Sequence, residues 1–199
     1  MIKKKTSLLN IAPMKTTDVL IRQTIPADCK YAVRISQEME ASARTRGIGI
    51  GRRSPTSIAH KMLEGNAVIA LTKAGEWVGY IYLEVYGHAS FVSHCGLIVA
   101  PDWRRLGIAT QMKECIFWLT REKYPKAKIF GITTTLATMR INSKLGMRPV
   151  TFSEITQDAS FWCKCEQCVN YQNLKNTGFR NCYCTAMMFE PDIALNASK

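Results

Sequence analysis

Three apolar runs follow one another with almost nothing between them. "AVIALTK" (67–73) is separated from "EWVGYIYLEVYG" (76–87) by Ala74 and Gly75, and "ASFVSHCGLIVA" (89–100) comes immediately after. Short runs rich in β-branched and aromatic residues are strands. Links this short leave no room for a crossover, so the three must lie antiparallel to their neighbours. Within the second run Val78, Tyr80, Tyr82, Glu84 and Tyr86 share one face, and Trp77, Ile81, Leu83 and Val85 the other. From Leu106 to Tyr124, Ile108, Met112, Cys115, Ile116 and Leu119 recur at helical spacing, and Pro125 ends the helix. The next run, "AKIFGITTT" (127–135), is reached through that helix and therefore runs parallel to the third strand. A meander that continues into a right-handed crossover gives a mixed sheet with helices against it.

The flanking segments extend this frame. "DVLIRQTI" (18–25) reads as a first strand ending at Pro26. Residues 26–43 form a helix with Ala32, Ile35 and Met39 inward, and Ser54-Pro55 opens a second one lined by Ile58, Met62 and Leu63. Residues 137–147 are a short helix capped by Gly146, and two more strands lie near 148–165 and 179–190. The order is β-α-α-β-β-β-α-β-α-β-β. One domain over 18–199 is expected, with 1–17 a disordered tail and a cysteine-rich insertion near 163–184. The start "MIKKKTSLLNIAPMK" is a poor export signal because Asn10 and Pro13 interrupt its apolar part. No apolar run approaches the roughly 20 residues of a membrane span. A cytoplasmic protein without a membrane partner is the expectation.

The net charge is +12, concentrated in two segments. Residues 1–53 carry 11 basic and 4 acidic side chains, and residues 101–150 carry 10 and 3. An anionic small molecule or a nucleic acid would be drawn to either. No lysine-rich helix with interleaved aromatics appears, which makes nucleic acid the less favoured partner. Of eight cysteines, Cys163, Cys165, Cys168, Cys182 and Cys184 crowd into the insertion. Cys165-x-x-Cys168 has zinc-knuckle spacing and Cys182-x-Cys184 points two thiols to one strand face. A structural zinc, metal-free thiols packed as small apolar residues, and redox chemistry are all compatible with that pattern.

Between the third strand and the long helix stands "PDWRRLGIAT" (101–110). The first N–H groups of a helix lack intrahelical partners and sit at the positive dipole end. Gly107 leaves the backbone open, Ala109 is small, and Thr110 adds a hydroxyl, so the stretch suits a diphosphate. It is neither a P-loop nor a dinucleotide fingerprint. Taken alone it is equally well a capped helix beside two surface arginines.

In its setting, "LIVAPDWRRLGIATQM" resembles the cofactor motif of the GNAT family of N-acetyltransferases, Arg/Gln-x-x-Gly-x-Gly/Ala, matched by Arg104, Gly107 and Ala109. "RINSKLGMRPV" (140–150) is similar to that family's second cofactor helix, and the element order from about 18 to 155 agrees. The resemblance implies an α/β (α+β) fold: a central, mixed, mostly antiparallel sheet of about seven strands flanked by about four helices. It implies acetyl-CoA as cosubstrate, with the diphosphate on Arg105, Leu106, Gly107, Ile108, Ala109 and Thr110. It places the pantetheine arm along the backbone of Leu97, Ile98 and Val99, with an amide near Val99 for the oxyanion.

The same resemblance puts the expected carboxylate base near Ser93, which cannot serve well. His94, which titrates ordinarily at about 6.5, and Glu84 are the candidate bases; the alternative for His94 is a packed strand residue. Where relatives carry a tyrosine that protonates the leaving thiolate, this chain has Asn142, which hydrogen-bonds but is no general acid. Tyr80, Tyr82, Tyr86 or water are the remaining sources. Arg44, Arg46, Arg52 and Arg53 border the expected acceptor site, and either meet an anionic group on the acceptor or form a solvated loop. The expected partner is a small-molecule or peptide amine, bound by a monomer or homodimer. The rival reading is a GNAT-like basic module without catalysis that binds nucleic acid or an acidic protein.

Overall fold

A computed structural model describes residues 18–46, 53–168, 170–180 and 182–191. The expected tail (1–17) and residues 47–52 of the arginine-bearing loop, Arg52 among them, lie outside the described residues, as does the side chain of Arg46.

The strands are β1 (Val19–Gln23), β2 (Ala67–Thr72), β3 (Trp77–Tyr86), β4 (Phe91–Val99), β5 (Lys128–Thr133), β6 (Arg148–Val150) and β7 (Thr185–Phe189). They form one sheet in the order β1-β2-β3-β4-β5-β7-β6. The meander and the crossover are as the link lengths require: β4 with β5 is parallel and the other pairs are antiparallel. The helices are α1 (Ala32–Arg46), α2 (Pro55–Leu63), α3 (Ile108–Lys123), α4 (Leu136–Lys144), α5 (Ala159–Trp162) and α6 (Tyr171–Asn176). The sheet of seven strands is the one expected. Two short helices, α5 and α6, are additional to the four expected ones; α6 lies in the insertion and α5 leads into it, so the inserted segment starts earlier than the expected 163.

Some boundaries moved, for physical reasons. Residues 26–31 are a 3-10 turn rather than α-helix. There the Asp28 carboxylate accepts the Ile25 amide at 2.8 Å and pairs with Arg22 at 2.7 Å. The strand expected to run to 165 stops at Val150. Asp158 caps α5 by accepting the Ser160 amide, which turns Phe161 and Trp162 inward as helix anchors. The last strand begins at Thr185, not 179.

Two apolar clusters hold the sheet. The larger joins Ile35 and Met39 of α1, Ile58 and Met62 of α2, the buried meander, and Met112 and Ile116 of α3. The smaller is built by the insertion on Tyr86 and Phe130. Phe161 packs edge-on against both, with ring centroids at 5.5 and 5.1 Å. Such contacts add to plain area burial, by about 0.5–1.5 kcal/mol each.

One break in the sheet positions the site. β4 pairs with β5 only over Phe91, Val92 and Ser93. Beyond Ser93, β4 continues against β3 while β5 continues against β7, so the two strands diverge. The divergence begins beside Gly96, which has φ +64° at a register irregularity between Tyr80 and Tyr82. A Cβ at Gly96 would lie 2.5 Å from the Tyr82 ring and 3.0 Å from Met39. Glycine is required here both for the left-handed backbone and for the approach.

Candidate active site

A cavity of about 230 Å³ fills the wedge between β4 and β5. Strand parity gives it two chemically different sides. Leu83 and His94 are cross-strand partners facing α3, where His94 meets Thr120. Glu84 and Ser93 are partners on the opposite face, beside Cys95 and Tyr86. Gly131 of β5 lies at the apex, where an added Cβ would make an ordinary contact with the His94 carbonyl at 3.5 Å.

Residues 104–110 form the turn between β4 and α3. Gly107 is the N-cap of α3 with φ +79°, and Arg105 is also left-handed at φ +66°. A left-handed non-glycine residue costs about 1–2 kcal/mol and marks a strained turn. Among the described residues, the amides from Arg105 to Ala109 have no hydrogen-bond partner, whereas those of Thr110 and Gln111 bond the Gly107 carbonyl at 3.0 and 3.2 Å. An added Cβ at Gly107 would meet nothing nearer than Gln111 at 3.9 Å, so the space above it is open. Leu106 and Ala109 pack partly on the core, and Ile108 is buried.

Arg104 is turned away from this cradle. Its amide bonds the Pro101 carbonyl, its Nε donates to the Val99 carbonyl at 3.0 Å, and its Nη2 meets Glu38 at 2.9 Å. It therefore ties the loop to β4 and α1. The Ala100 amide bonds Val78 of β3, so alternation turns the Val99 backbone toward the open edge. Leu97 lines the cavity, and Ile98 is buried opposite Tyr80.

Asn142 of α4 is 1% exposed and lines the cavity. Its Nδ2 reaches only the Met187 sulfur at 3.8 Å, and its Oδ1 is buried without a partner. An orphaned buried acceptor costs about 1–3 kcal/mol, and this one faces a cavity. His94 is buried against Thr120 and Lys113, and burial followed by the Lys113 charge pushes its pKa well below the ordinary value.

The opposite side is charged. Glu84 receives the Lys164 ammonium at 2.6 Å and the Tyr86 hydroxyl at 2.9 Å; Lys164 also reaches Tyr86 at 2.8 Å. Arg53 donates to the Tyr82 hydroxyl. Burial works against the Arg53 charge, but Tyr82, Cys95 and Glu84 outweigh it and the pKa is raised. The three tyrosines weighed as acids all point to this face: Tyr80 bonds Ile58 of α2, Tyr82 meets Arg53, and Tyr86 meets Glu84. Burial raises all three pKa values.

The insertion closes this end with Phe161, Trp162 and Tyr171. Its cysteines are unbridged thiols. Burial and mutual proximity push Cys165 up to about 11 and Cys184 up to about 12. Among the described residues no group of three or more ligands could hold a metal ion, so the zinc expectation has no support in the geometry.

A family model described as "Acetyltransferase (GNAT) family" matches residues 38–139, just over half of the chain. The chain belongs to the GNAT acetyltransferase family. No curated protein sequence matches it significantly. Solved structures share the fold at low identity. N-acetylglutamate synthase from Neisseria gonorrhoeae, complexed with coenzyme A and N-acetyl-glutamate, superposes with a TM-score of 0.61 at 16% identity. That match covers 87% of this chain but 35% of the synthase. A Mycobacterium tuberculosis protein in complex with CoA gives 0.61 at 14% identity over 86% of this chain and 98% of its own. A GNAT superfamily phosphinothricin acetyltransferase from Sinorhizobium meliloti, in complex with acetyl-CoA, gives 0.56 at 13% over 87% and 89%.

Within this GNAT domain, two cavity residues escaped sequence reasoning. Lys164 sits in an insertion without a legible fold, and Lys113 reads as an ordinary solvated helix lysine. The one signal for Lys113 was its place directly after Met112 on the inward stripe. No helix of the described residues is long and apolar enough to cross a membrane.

Proposed function

We propose that this protein transfers an acetyl group directly from acetyl-CoA to the primary amine of a small, anion-bearing acceptor. The observation that carries the reading is the wedge between β4 and β5 with an orphaned Asn142 Oδ1 along it, joined by a row of unpartnered amides in the turn that follows β4. These features fit the cosubstrate: a diphosphate accepts from amides 105–109, the Thr110 hydroxyl adds a donor, and pantetheine amides supply a hydrogen for Asn142. The backbones of Leu97, Ile98 and Val99 give the arm a strand edge, and the Val99 amide suits a developing oxyanion. Arg104 holds that edge through the Val99 carbonyl.

We assign Glu84 as the base. It lies on the face opposite α3, and it already faces two ammonium groups, that of Lys164 at 2.6 Å beside Tyr86 and that of Lys61 at 3.9 Å. An acceptor ammonium has the same chemistry and would lose its proton to Glu84 directly or through water. His94 faces α3 and is poorly basic, so it does not fill this role. Arg53 supplies the cation for an acceptor carboxylate or phosphate. The confined volume and the lid formed by the insertion favour a small molecule over a folded protein's side chain.

The test is a thermal shift of the full-length protein with acetyl-CoA and CoA, followed by acetyl transfer to amines with and without an anionic group. Stabilisation by both, and turnover faster with anionic amines, is expected. No stabilisation at millimolar cosubstrate contradicts the enzyme reading. Tight, salt-dependent nucleic-acid binding in its place would favour the rival binding module.

A further inference from the structure

Lys113 is the unusual group in this wall. It lies on α3, is 2% exposed, and lines the cavity. Among the described residues no carboxylate pairs with it, and its polar neighbour is His94 Nδ1 at 3.3 Å. The hydrogen bonds fix how these two interact. Thr120 Oγ1 donates its hydrogen to the Ile116 carbonyl at 2.7 Å, so toward His94 Nε2, at 2.9 Å, it must accept. His94 therefore carries its hydrogen on Nε2 and presents a lone pair at Nδ1 to Lys113. One ammonium N–H is held there. The other two have no partner among the described residues, and Lys113 lines the same cavity as the orphaned Asn142. Cys95, on β4 at the opposite face of the wedge, is the other titratable group acting on Lys113; Asn142 of α4 and Gly131 and Ile132 of β5 are uncharged.

An unpaired buried ammonium is stable only when something negative arrives. In the proposed reaction the species that becomes negative on this side is the leaving CoA sulfur. We infer that Lys113, oriented by His94, stabilises the CoA thiolate as it leaves and gives it its proton. This rests on the acetyl-CoA reading above. When the tetrahedral adduct collapses, the C–S bond breaks and its electron pair stays on sulfur. A proton moves from Lys113 Nζ to that sulfur, giving CoA thiol and a neutral amine. The amine regains a proton from solvent after product leaves, balancing the one that Glu84 takes from the acceptor. Burial lowers the Lys113 pKa from 10.5 to about 8, close to neutral and suitable for an acid. Such an acid supplies what Asn142 cannot, on the side to which Tyr80, Tyr82 and Tyr86 do not point.

The experiment follows kcat against pH together with the Lys113 ammonium, by NMR of lysine-labelled full-length protein. In the wild type the ammonium should titrate at about 8 and kcat should fall through the same pH, and in Lys113→Met that limb should vanish. The same variant should lose kcat by about 10²-fold with the KM for acetyl-CoA little changed. An ammonium that stays charged well above about pH 8 while kcat holds level overturns the inference, whether or not the variant folds. So does a variant that raises only KM, since Lys113 would then merely hold the arm. If CoA does not bind at all, it is the cosubstrate reading that fails, and calorimetry shows this separately.

Discussion

Gly107 and Lys113 carry opposite kinds of strain, and each makes a prediction. Gly107 is left-handed beneath open space. Gly107→Val would put a β-branched side chain into a conformation it avoids and into the proposed diphosphate seat. CoA affinity should fall by about tenfold or more, with a loss of about 1–3 kcal/mol in stability; calorimetry and thermal melts read the two effects. Unchanged affinity would mean that the cradle is misplaced. Lys113 is held in the wall at a pKa of about 8, below the ordinary lysine value of 10.5, chiefly by burial, with Cys95 acting against the shift. The folded state thus binds fewer protons than the unfolded chain between these values, and stability rises as pH rises through that window. Lys113→Met should therefore melt higher than wild type at pH 7, and the gain should shrink toward pH 10.5. A variant that melts lower at pH 7 would show that the buried ammonium is better compensated than the structure indicates.

At the scale of elements, the insertion and α3 show where sequence reasoning stops. The meander and the crossover were legible because link length and helical spacing are local properties. The buried stripe of α3 was only partly so. It runs through Ile108, Met112, Lys113, Ile116, Phe117 and Thr120, rotated from the expected line through Cys115 and Leu119. The rotation follows from β7, whose Phe189 packs edge-on against Phe117 at 5.0 Å. A strand more than 60 residues downstream cannot be read from the helix's own period. The faces of Glu84 and His94 likewise depended on the pairing of β3 with β4, which sets Glu84 opposite Ser93 and Leu83 opposite His94. The insertion rests on Phe161, 6% exposed and packed against Tyr86, Phe130 and Trp162. Phe161→Ala should cost about 3–5 kcal/mol and free Lys164 from Glu84. Limited proteolysis should then cut within 151–184 while the rest of the domain resists. Equal resistance throughout would show that other contacts hold the segment.

For the whole molecule, the family follows from the match over 38–139. A strand pair that opens after Ser93 separates a face with Asn142 and Lys113 from one with Glu84 and Arg53. In the proposed reaction, donor and acceptor would approach from opposite sides of one sheet and meet in the wedge. The concentration of positive charge in two segments of a +12 chain favours anionic ligands at both. The central claim is that the wedge is an acetyl-CoA site, and isothermal titration of the full-length protein with acetyl-CoA tests it most directly. One saturable site per chain is predicted, with a dissociation constant of about 1 μM to 1 mM, the range of ordinary enzyme substrates. The absence of saturable binding at millimolar acetyl-CoA would contradict the account.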